Sequence, residues 1–319
     1  MRNIWLDGIM GVIVGDALGL PVQFLDREEI KRNPVTGMRG YGAFDMPEGT
    51  WSDDSSLTLA TLESIFTMKG IDCQDIMENF ADWLIDGKFT PFGYAFDQGS
   101  TCIKAITNYV RNNDTEKCGI TGEWANGNGA LMRIMPVCLY VYERVQEGQI
   151  TEDEALEYVH QVSSLTHNHL RSQMACGIYY FIVKALLQRE GSLVEMISKG
   201  IQEAKMYYQT DIQNYTELSH YGRIFETEAF KQLQEEEIES TGYVVDSLEA
   251  AIWSLLNEST FEGTALRAVN LGKDTDTVGA IACGLAGLYY GYEAIPSEWL
   301  ETIQCREKIE EMCKKGIYC

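Results

Sequence analysis

Two short acidic stretches, far apart in the chain, carry side chains able to hold a cation. The first reads Ser52, Asp53, Asp54, Ser55, Ser56; the second reads Asp274, Thr275, Asp276, Thr277. Each leads into an apolar run, from Leu57 to about Met68 in one case and from Val278 towards Gly291 in the other. Asp, Ser and Thr at a helix start accept hydrogen bonds from the free N–H groups of the first turn, so either stretch taken alone reads as a helix cap. A helix needs one cap, however, and each stretch offers further oxygens. Together they supply four carboxylates, those of Asp53, Asp54, Asp274 and Asp276. Two ionised carboxylates about 5 Å apart repel by roughly 3 kcal/mol at an effective dielectric near 20, so four converging ones require protons or cations between them. All the donors are hard oxygens, with no His or Cys in either stretch, which selects Mg²⁺, Mn²⁺ or Ca²⁺ over Zn²⁺. Four carboxylates suffice for two ions, and two ions can orient and polarise a water and substrate oxygens.

Such a centre needs two buried helices to carry it. The run after Asp276 holds Gly284, Gly287 and Gly291, each costing about 1 kcal/mol relative to Ala in a helix interior. That cost is understandable if another backbone packs against this face. Residues 3–19 read as a second helix of this kind, with Gly11, Gly15 and Gly19 on one stripe by their i, i+4 spacing, followed by Asp16, the turn at Pro21 and Gln23 at its C-terminal end. The two are expected to pack near each other. Residues 26–50 read as a long Gly- and Pro-containing connection, ordered by Tyr41, Phe44 and Trp51. Further helices are predicted over 73–86, 100–112, 172–189, 193–205, 243–257 and 262–269. Another holds Met132 and Arg133 after a Gly/Asn turn, one starts at the acidic 151–154, and a closing amphipathic helix covers 297–316. The 207–240 stretch is polar and irregular. With no repeat and no linker, the expected architecture is all-α: one large orthogonal helical domain over 1–319, its metal centre at helix N-termini.

Composition narrows the partners. A net charge of −23 opposes a nucleic-acid backbone, which needs cationic contacts. No membrane partner is expected, because the longest uncharged run, 278–292, is short and Gly-rich and the apolar start is interrupted by Asp7 and Asp16. Nine scattered cysteines without a CxxC pair read as reduced core thiols, Cys102, Cys138, Cys176 and Cys283 among them; Cys319 has nothing nearby to activate it. A cytoplasmic monomer is the expectation.

Five segments in order, GDALGLPVQ, GTWSDDSS, GNGALMRI, SLTHNH and LGKDTDTVGAIACGLAGLYYG, resemble the ADP-ribosylglycohydrolase family, from the first helix to about residue 291. The resemblance implies an all-α hydrolase with two divalent cations, Mg²⁺ or Mn²⁺, that cleaves ADP-ribose from an ADP-ribosylated protein or a small ADP-ribosyl conjugate. It implies Ser52, Asp53, Asp54, Asp274, Asp276 and Thr277 as metal ligands, and Asp53 and Asp97 as catalytic. Gly127, Asn128 and Gly129 match the loop that lies against ADP-ribose. Physically, such a turn brings backbone N–H groups to a diphosphate, although it also reads as a plain turn. His167 matches a histidine near the ligand, or caps a helix end. Asp97, read without the family, is a loop or N-cap residue. Arg133 is a phosphate partner or, more simply, a salt bridge to the acidic interior. Tyr41, Phe44 and Trp124 stack on adenine or pack in the core.

Three positions depart from the family pattern. Gln23 stands where many relatives have a Glu that positions water and touches a metal; it joins the substrate-binding set here. Lys273 replaces a common Gly, and Ser52 a usual Thr. Because an amide cannot act as a base, the alternative expectation is a catalytically weak ADP-ribose-binding relative.

Overall fold

In the computed structural model, which describes residues 2–315, sixteen α-helices and short 3₁₀ turns form the molecule, with no strand among the described residues. In chain order they are α1 (Ile4–Gly19), α2 (Arg27–Arg32), α3 (Asp53–Met68), α4 (Cys73–Asp86), α5 (Ser100–Asn112), α6 (Met135–Gln146), α7 (Glu152–Ser164) and α8 (Leu170–Gln188). The second half contributes α9 (Leu193–Tyr208), α10 (Tyr215–Leu218), α11 (Thr227–Lys231), α12 (Val244–Leu256), α13 (Phe261–Asn270), α14 (Thr275–Tyr290), α15 (Ser297–Thr302) and α16 (Arg306–Lys315). The all-α reading holds.

Local chemistry sets many of the boundaries. Asn3 accepts from the N–H groups of Trp5 and Leu6 to start α1, and Thr151 with Glu154 and Ser192 with Glu195 form capping boxes on α7 and α9. Left-handed residues at Lys69, Gly87, Asn113 and Arg189 end α3, α4, α5 and α8.

Glycine decides the centre of the fold. Alpha-helices α1 and α14 lie backbone to backbone. A Cβ on Gly11 would sit 2.1 Å from the Cys283 carbonyl oxygen, one on Gly15 2.1 Å from that of Gly279, and one on Gly19 2.4 Å from that of Thr275. The face of α14 answers with Gly279 and Gly287, where a Cβ would meet the carbonyl oxygens of Gly15 and Asp7. Thr275 Oγ1 locks the end by donating to the Gly19 carbonyl at 2.8 Å. Around this pair one apolar cluster extends from Trp5 to Cys313. The stretch Ile4–Val22 is long and apolar enough to cross a membrane, but 83% of it is buried inside the fold.

Several expectations need correction. Gly291 lies past the end of α14 with φ 93°, so it caps the helix and does not thin its face; Gly279, unremarked in the sequence, does. The 26–50 connection contains α2, built on an Asp26–Glu29 capping box. Met132 and Arg133 lie in a 3₁₀ turn, and the helix after it starts at Met135. The closing amphipathic helix is two helices, broken at Cys305 with φ 59°. The eight described cysteines are free thiols; Cys319 lies outside the described residues.

Candidate metal centre

The close approach of α1 to α14 places three helix ends at one point. The C-terminal turn of α1 brings Asp16, and the starts of α3 and α14 bring Asp53, Asp54 and Asp276. Thr277 Oγ1 donates to Asp54 Oδ2 at 3.5 Å, and Ser52 Oγ donates to the same oxygen at 3.2 Å. One carboxylate oxygen from each of Asp16, Asp54 and Asp276 falls within 4.8 Å of the others. Ser52, Asp53, Asp54, Asp274, Asp276 and Thr277 thus lie together, the charge of Asp274 acting on Asp54 and Asp276, while Asn128 Nδ2 donates to Asp274 Oδ2 at 2.7 Å and to Ser247 Oγ at 2.9 Å.

Asp16 is the residue the sequence reading passed over. Its two oxygens accept from the Ser52 N–H at 3.0 and 2.9 Å, from the Ser55 N–H at 3.1 Å and from Ser55 Oγ at 2.5 Å. It therefore caps α3 from a different helix, meeting the first-turn donors that no residue of α3 satisfies. Its signal was an acid in the middle of an otherwise apolar helical run.

These carboxylates are not at ease without a cation. Burial first, then the charges of Asp97, Asp54 and Asp16, hold the Asp53 carboxyl well above the usual range. Burial followed by the charges of Asp16 and Asp274 does the same for Asp54, and burial followed by Asp274 and Asp54 for Asp276. Asp16 is pushed up to about 6, again chiefly by burial, with the Ser55 and Ser52 hydrogen bonds pulling the other way. Asp54 Oδ1, Asp276 Oδ2, Asp97 Oδ2 and Gln23 Oε1 are buried with no donor. Unpartnered buried oxygens of like charge are the arrangement that a hard divalent cation satisfies, so the donor set fits one.

Asp97 belongs to the cluster. It lies in the loop before α5, one of the two places expected for it, and does not cap the helix, whose N-cap is Gly99. Its carboxyl is raised chiefly by burial, with the neighbouring Asp276 and Gln23 side chains pulling the other way and the charge of Asp274 adding to the rise. Asp97, Phe24 and Lys273 all have left-handed backbones, with φ of 49°, 69° and 62°, and all three line the same cavity. Non-glycine residues held there cost of order 1–3 kcal/mol each and concentrate at functional sites. The Lys273 conformation accounts for the glycine common at that position. Its ammonium is paired with Glu239, so it is already neutralised.

The cavity, about 620 Å³, is lined both by acids of the cluster, Asp53, Asp54 and Asp274 among them, and by the Gly127–Gly129 turn. The turn is held by Asn128 N–H donating to the Gly242 carbonyl at 3.0 Å, so the irregular polar segment before α12 forms part of the wall. His167 packs behind the turn: a Cβ on Gly129 would lie 2.9 Å from its Cε1, and one on Gly127 3.5 Å from its Nε2. Burial, with help from the charge of Arg133, lowers its pKa to about 3, so it is neutral. It is no helix cap.

Two expectations fail here. Arg133 makes no salt bridge to the acidic interior: fully buried, it donates to Thr166 Oγ1 at 2.7 Å and the Val162 carbonyl at 3.3 Å and lies over the Phe80 ring. Trp124 and Tyr41 are not core residues, being 97% and 63% exposed.

Comparison with known proteins agrees with this geometry. The family model described as ADP-ribosylglycohydrolase matches residues 3–318. The chain is 29% identical over 310 residues to an ADP-ribosylarginine hydrolase, Tri1, of Serratia proteamaculans, covering 97% of this chain and 78% of that one. It is 31% identical to the ADP-ribosyl-[dinitrogen reductase] glycohydrolase of Rhodospirillum rubrum, covering 96% and 92%. A solved structure described as an ADP-ribosylglycohydrolase-related protein complex superposes with a TM-score of 0.78 at 29% identity, over 98% of this chain and 96% of that one.

Proposed function

Since the chain belongs to the ADP-ribosylglycohydrolase family and is an ADP-ribosyl hydrolase, we infer that its cavity takes the ADP-ribosyl group of a modified protein or small conjugate and that its acidic cluster is a divalent-cation centre. Arginine is the acceptor class to test first, because the Serratia relative is named for it. Ser52, Asp53, Asp54, Asp274, Asp276 and Thr277 would hold two ions, Mg²⁺ or Mn²⁺, which when bound supply charge that polarises a water and the ribose hydroxyl oxygens.

The chain's own groups have separable tasks. The backbone of Gly127, Asn128 and Gly129 and the ring of His167 meet the diphosphate end of the ligand. Asn128 fixes Asp274 by hydrogen bond and so ties that end to the acidic end. Asp97, with Asp53 beside it, takes the proton of the attacking water. Its oxygen then bonds to the anomeric carbon as the bond from that carbon to the acceptor breaks, and the proton passes to the departing nitrogen or oxygen. A carboxyl raised by burial is the better base near neutral pH. The transition state is oxocarbenium-like, as in other glycoside cleavage.

Gln23 cannot act as base, but Asp97 and Asp53 remain to do so, and the Gln23 side chain lies beside Asp97. The weakly catalytic alternative therefore has no support beyond the amide itself. A cytoplasmic monomer remains part of the proposal.

The observation that carries the reading is the set of buried, unpartnered oxygens of Asp54, Asp276, Asp97 and Gln23. The test is release of free ADP-ribose from an ADP-ribosylarginine peptide in Mg²⁺ or Mn²⁺. Turnover that stops on chelation supports it; binding of ADP-ribose with no turnover on arginine, serine or small conjugates, restored by Gln23→Glu, would establish the weak-binder alternative.

A further inference from the structure

Behind the Gly127–Gly129 turn lies a chain of three side chains that neither the acidic cluster nor the hydrolytic step uses. Arg133 Nη2 donates to Thr166 Oγ1 at 2.7 Å, and Thr166 Oγ1 lies 2.8 Å from His167 Nδ1. All three residues are buried, Arg133 and Thr166 completely. We propose that Arg133 and Thr166 are positioning residues that fix His167 as the Nε2–H tautomer, so that it presents a permanent hydrogen-bond donor to a ligand oxygen in the cavity.

The direction of each bond follows from donor and acceptor inventory. A guanidinium has only donors, so the Arg133–Thr166 contact occupies a lone pair of the hydroxyl. The single hydroxyl hydrogen is then free to go elsewhere. The acceptors within reach are the imidazole Nδ1 and the Cys102 sulfur, and sulfur is the weaker. Cys102 is itself turned to the Gly129 carbonyl at 3.9 Å. Thr166 therefore donates to Nδ1, leaving the proton of the neutral ring on Nε2. Nε2 is the nitrogen beside Gly127 and Gly129, at the wall of the cavity.

Protonating both nitrogens would require Nδ1 to give up the Thr166 hydrogen and would place a second cation beside a buried guanidinium that has no carboxylate partner. His167 thus acts as a fixed dipole aimed at an acceptor and not as a proton carrier. An anionic or hydroxyl oxygen is the group it fits. If the cavity holds ADP-ribose, as proposed above, that oxygen belongs to the diphosphate or the ribose attached to it.

The experiment has two arms. Nitrogen-15 correlation spectra of the histidine-labelled full chain, with no ligand and only four histidines to assign, read the tautomer directly. The expected result is a protonated Nε2 and a bare Nδ1 on His167, unchanged between pH 5.5 and 9. Thr166→Ser should keep that signature and Thr166→Val should lose it. The second arm is ADP-ribose binding by calorimetry: Thr166→Val should weaken it about tenfold and Thr166→Ser should restore it. A wild-type ring protonated on Nδ1, or a Thr166→Val chain with the tautomer unchanged, overturns the proposal. A correct tautomer with no ADP-ribose binding in the wild type would instead count against the ligand assignment alone.

Discussion

The hydroxyl of Thr277 meets the carboxylate of Asp54 at 3.5 Å, although 223 residues separate them in the chain. That contact joins the first turns of α3 and α14, and with them two acidic segments whose charges oppose the join. If the acids form the cation centre proposed above, a cation bound there stabilises the fold.

Replacing one acid should therefore act in opposite directions with and without metal. Asp276→Asn removes a buried charge whose neighbours are Asp274 and Asp54. In EDTA the variant should melt higher than the wild type, since close pairs repel by roughly 3 kcal/mol at an effective dielectric near 20. In saturating Mg²⁺ the wild type should gain about 2.7 kcal/mol at a hundredfold excess over its dissociation constant, and the variant far less. Thermal melts in both buffers check this. A wild-type melting curve indifferent to Mg²⁺ and Mn²⁺ contradicts it.

Asp16 should matter without touching substrate. Asp16→Asn puts an amide among N–H and O–H donors that now meet a carboxylate. Hydrogen bonds to a charged acceptor contribute about 1.5–3 kcal/mol each, so a loss of at least ~2 kcal/mol in urea unfolding is expected, with weaker cation binding because Ser52 and Ser55, which flank Asp53 and Asp54, lose their support. Unchanged stability would remove Asp16 from the account.

The contact of α1 with α14 leaves no room for a methyl group. Gly15→Ala would drive a Cβ to 2.1 Å from a carbonyl oxygen that cannot rotate away. Overpacking of this kind costs typically 1–3 kcal/mol, occasionally more, and here it also separates Asp16 from the start of α14. Gly70→Ala, where the nearest atom is 3.8 Å away, is the control and should be near neutral. Urea unfolding of both variants provides the comparison.

A pH effect is expected far from the site. His160 is half-buried, its Nε2 2.6 Å from the Tyr208 hydroxyl, and loss of solvent around the ring lowers its pKa to about 4. The unfolded chain binds this proton below about pH 6.5 while the folded chain refuses it, so stability is present above that pH and is lost as pH falls towards 4. The loss from this residue by pH 4.5 is on the order of 2–3 kcal/mol. His160→Gln should be less stable than the wild type at pH 7.5, and the difference should shrink or reverse at pH 4.5. A constant difference across that range would mean that the ring titrates alike in the folded and unfolded chain, and would contradict the lowered pKa.

Much of this was legible in the sequence because the chemistry repeats itself there. The two acid-and-hydroxyl helix starts, with the Gly11, Gly15, Gly19 stripe, point to buried helices meeting at a charged end. What stayed hidden depends on contacts between segments. Asp16 reads as one acid in an apolar helix until Ser52 and Ser55 are placed against it. Asp97 reads as a loop residue because its left-handed backbone, not any local pattern, turns it inward. Arg133 was expected to seek the acids by Coulomb's law, yet the fold delivers it to Thr166 behind the cavity. Gly291 and Gly279 exchanged roles because only the end of α14 tells packing glycine from capping glycine.

The central claim is that divalent cations bind between the starts of α3 and α14. Anomalous diffraction from crystals equilibrated with millimolar Mn²⁺ measures it directly. The account predicts manganese peaks within coordination distance of Asp54 and Asp276, with oxygens of Ser52, Asp53, Asp274 or Thr277 completing the shells. Manganese bound elsewhere, with the Asp54 and Asp276 carboxylates still facing each other without metal, would contradict it.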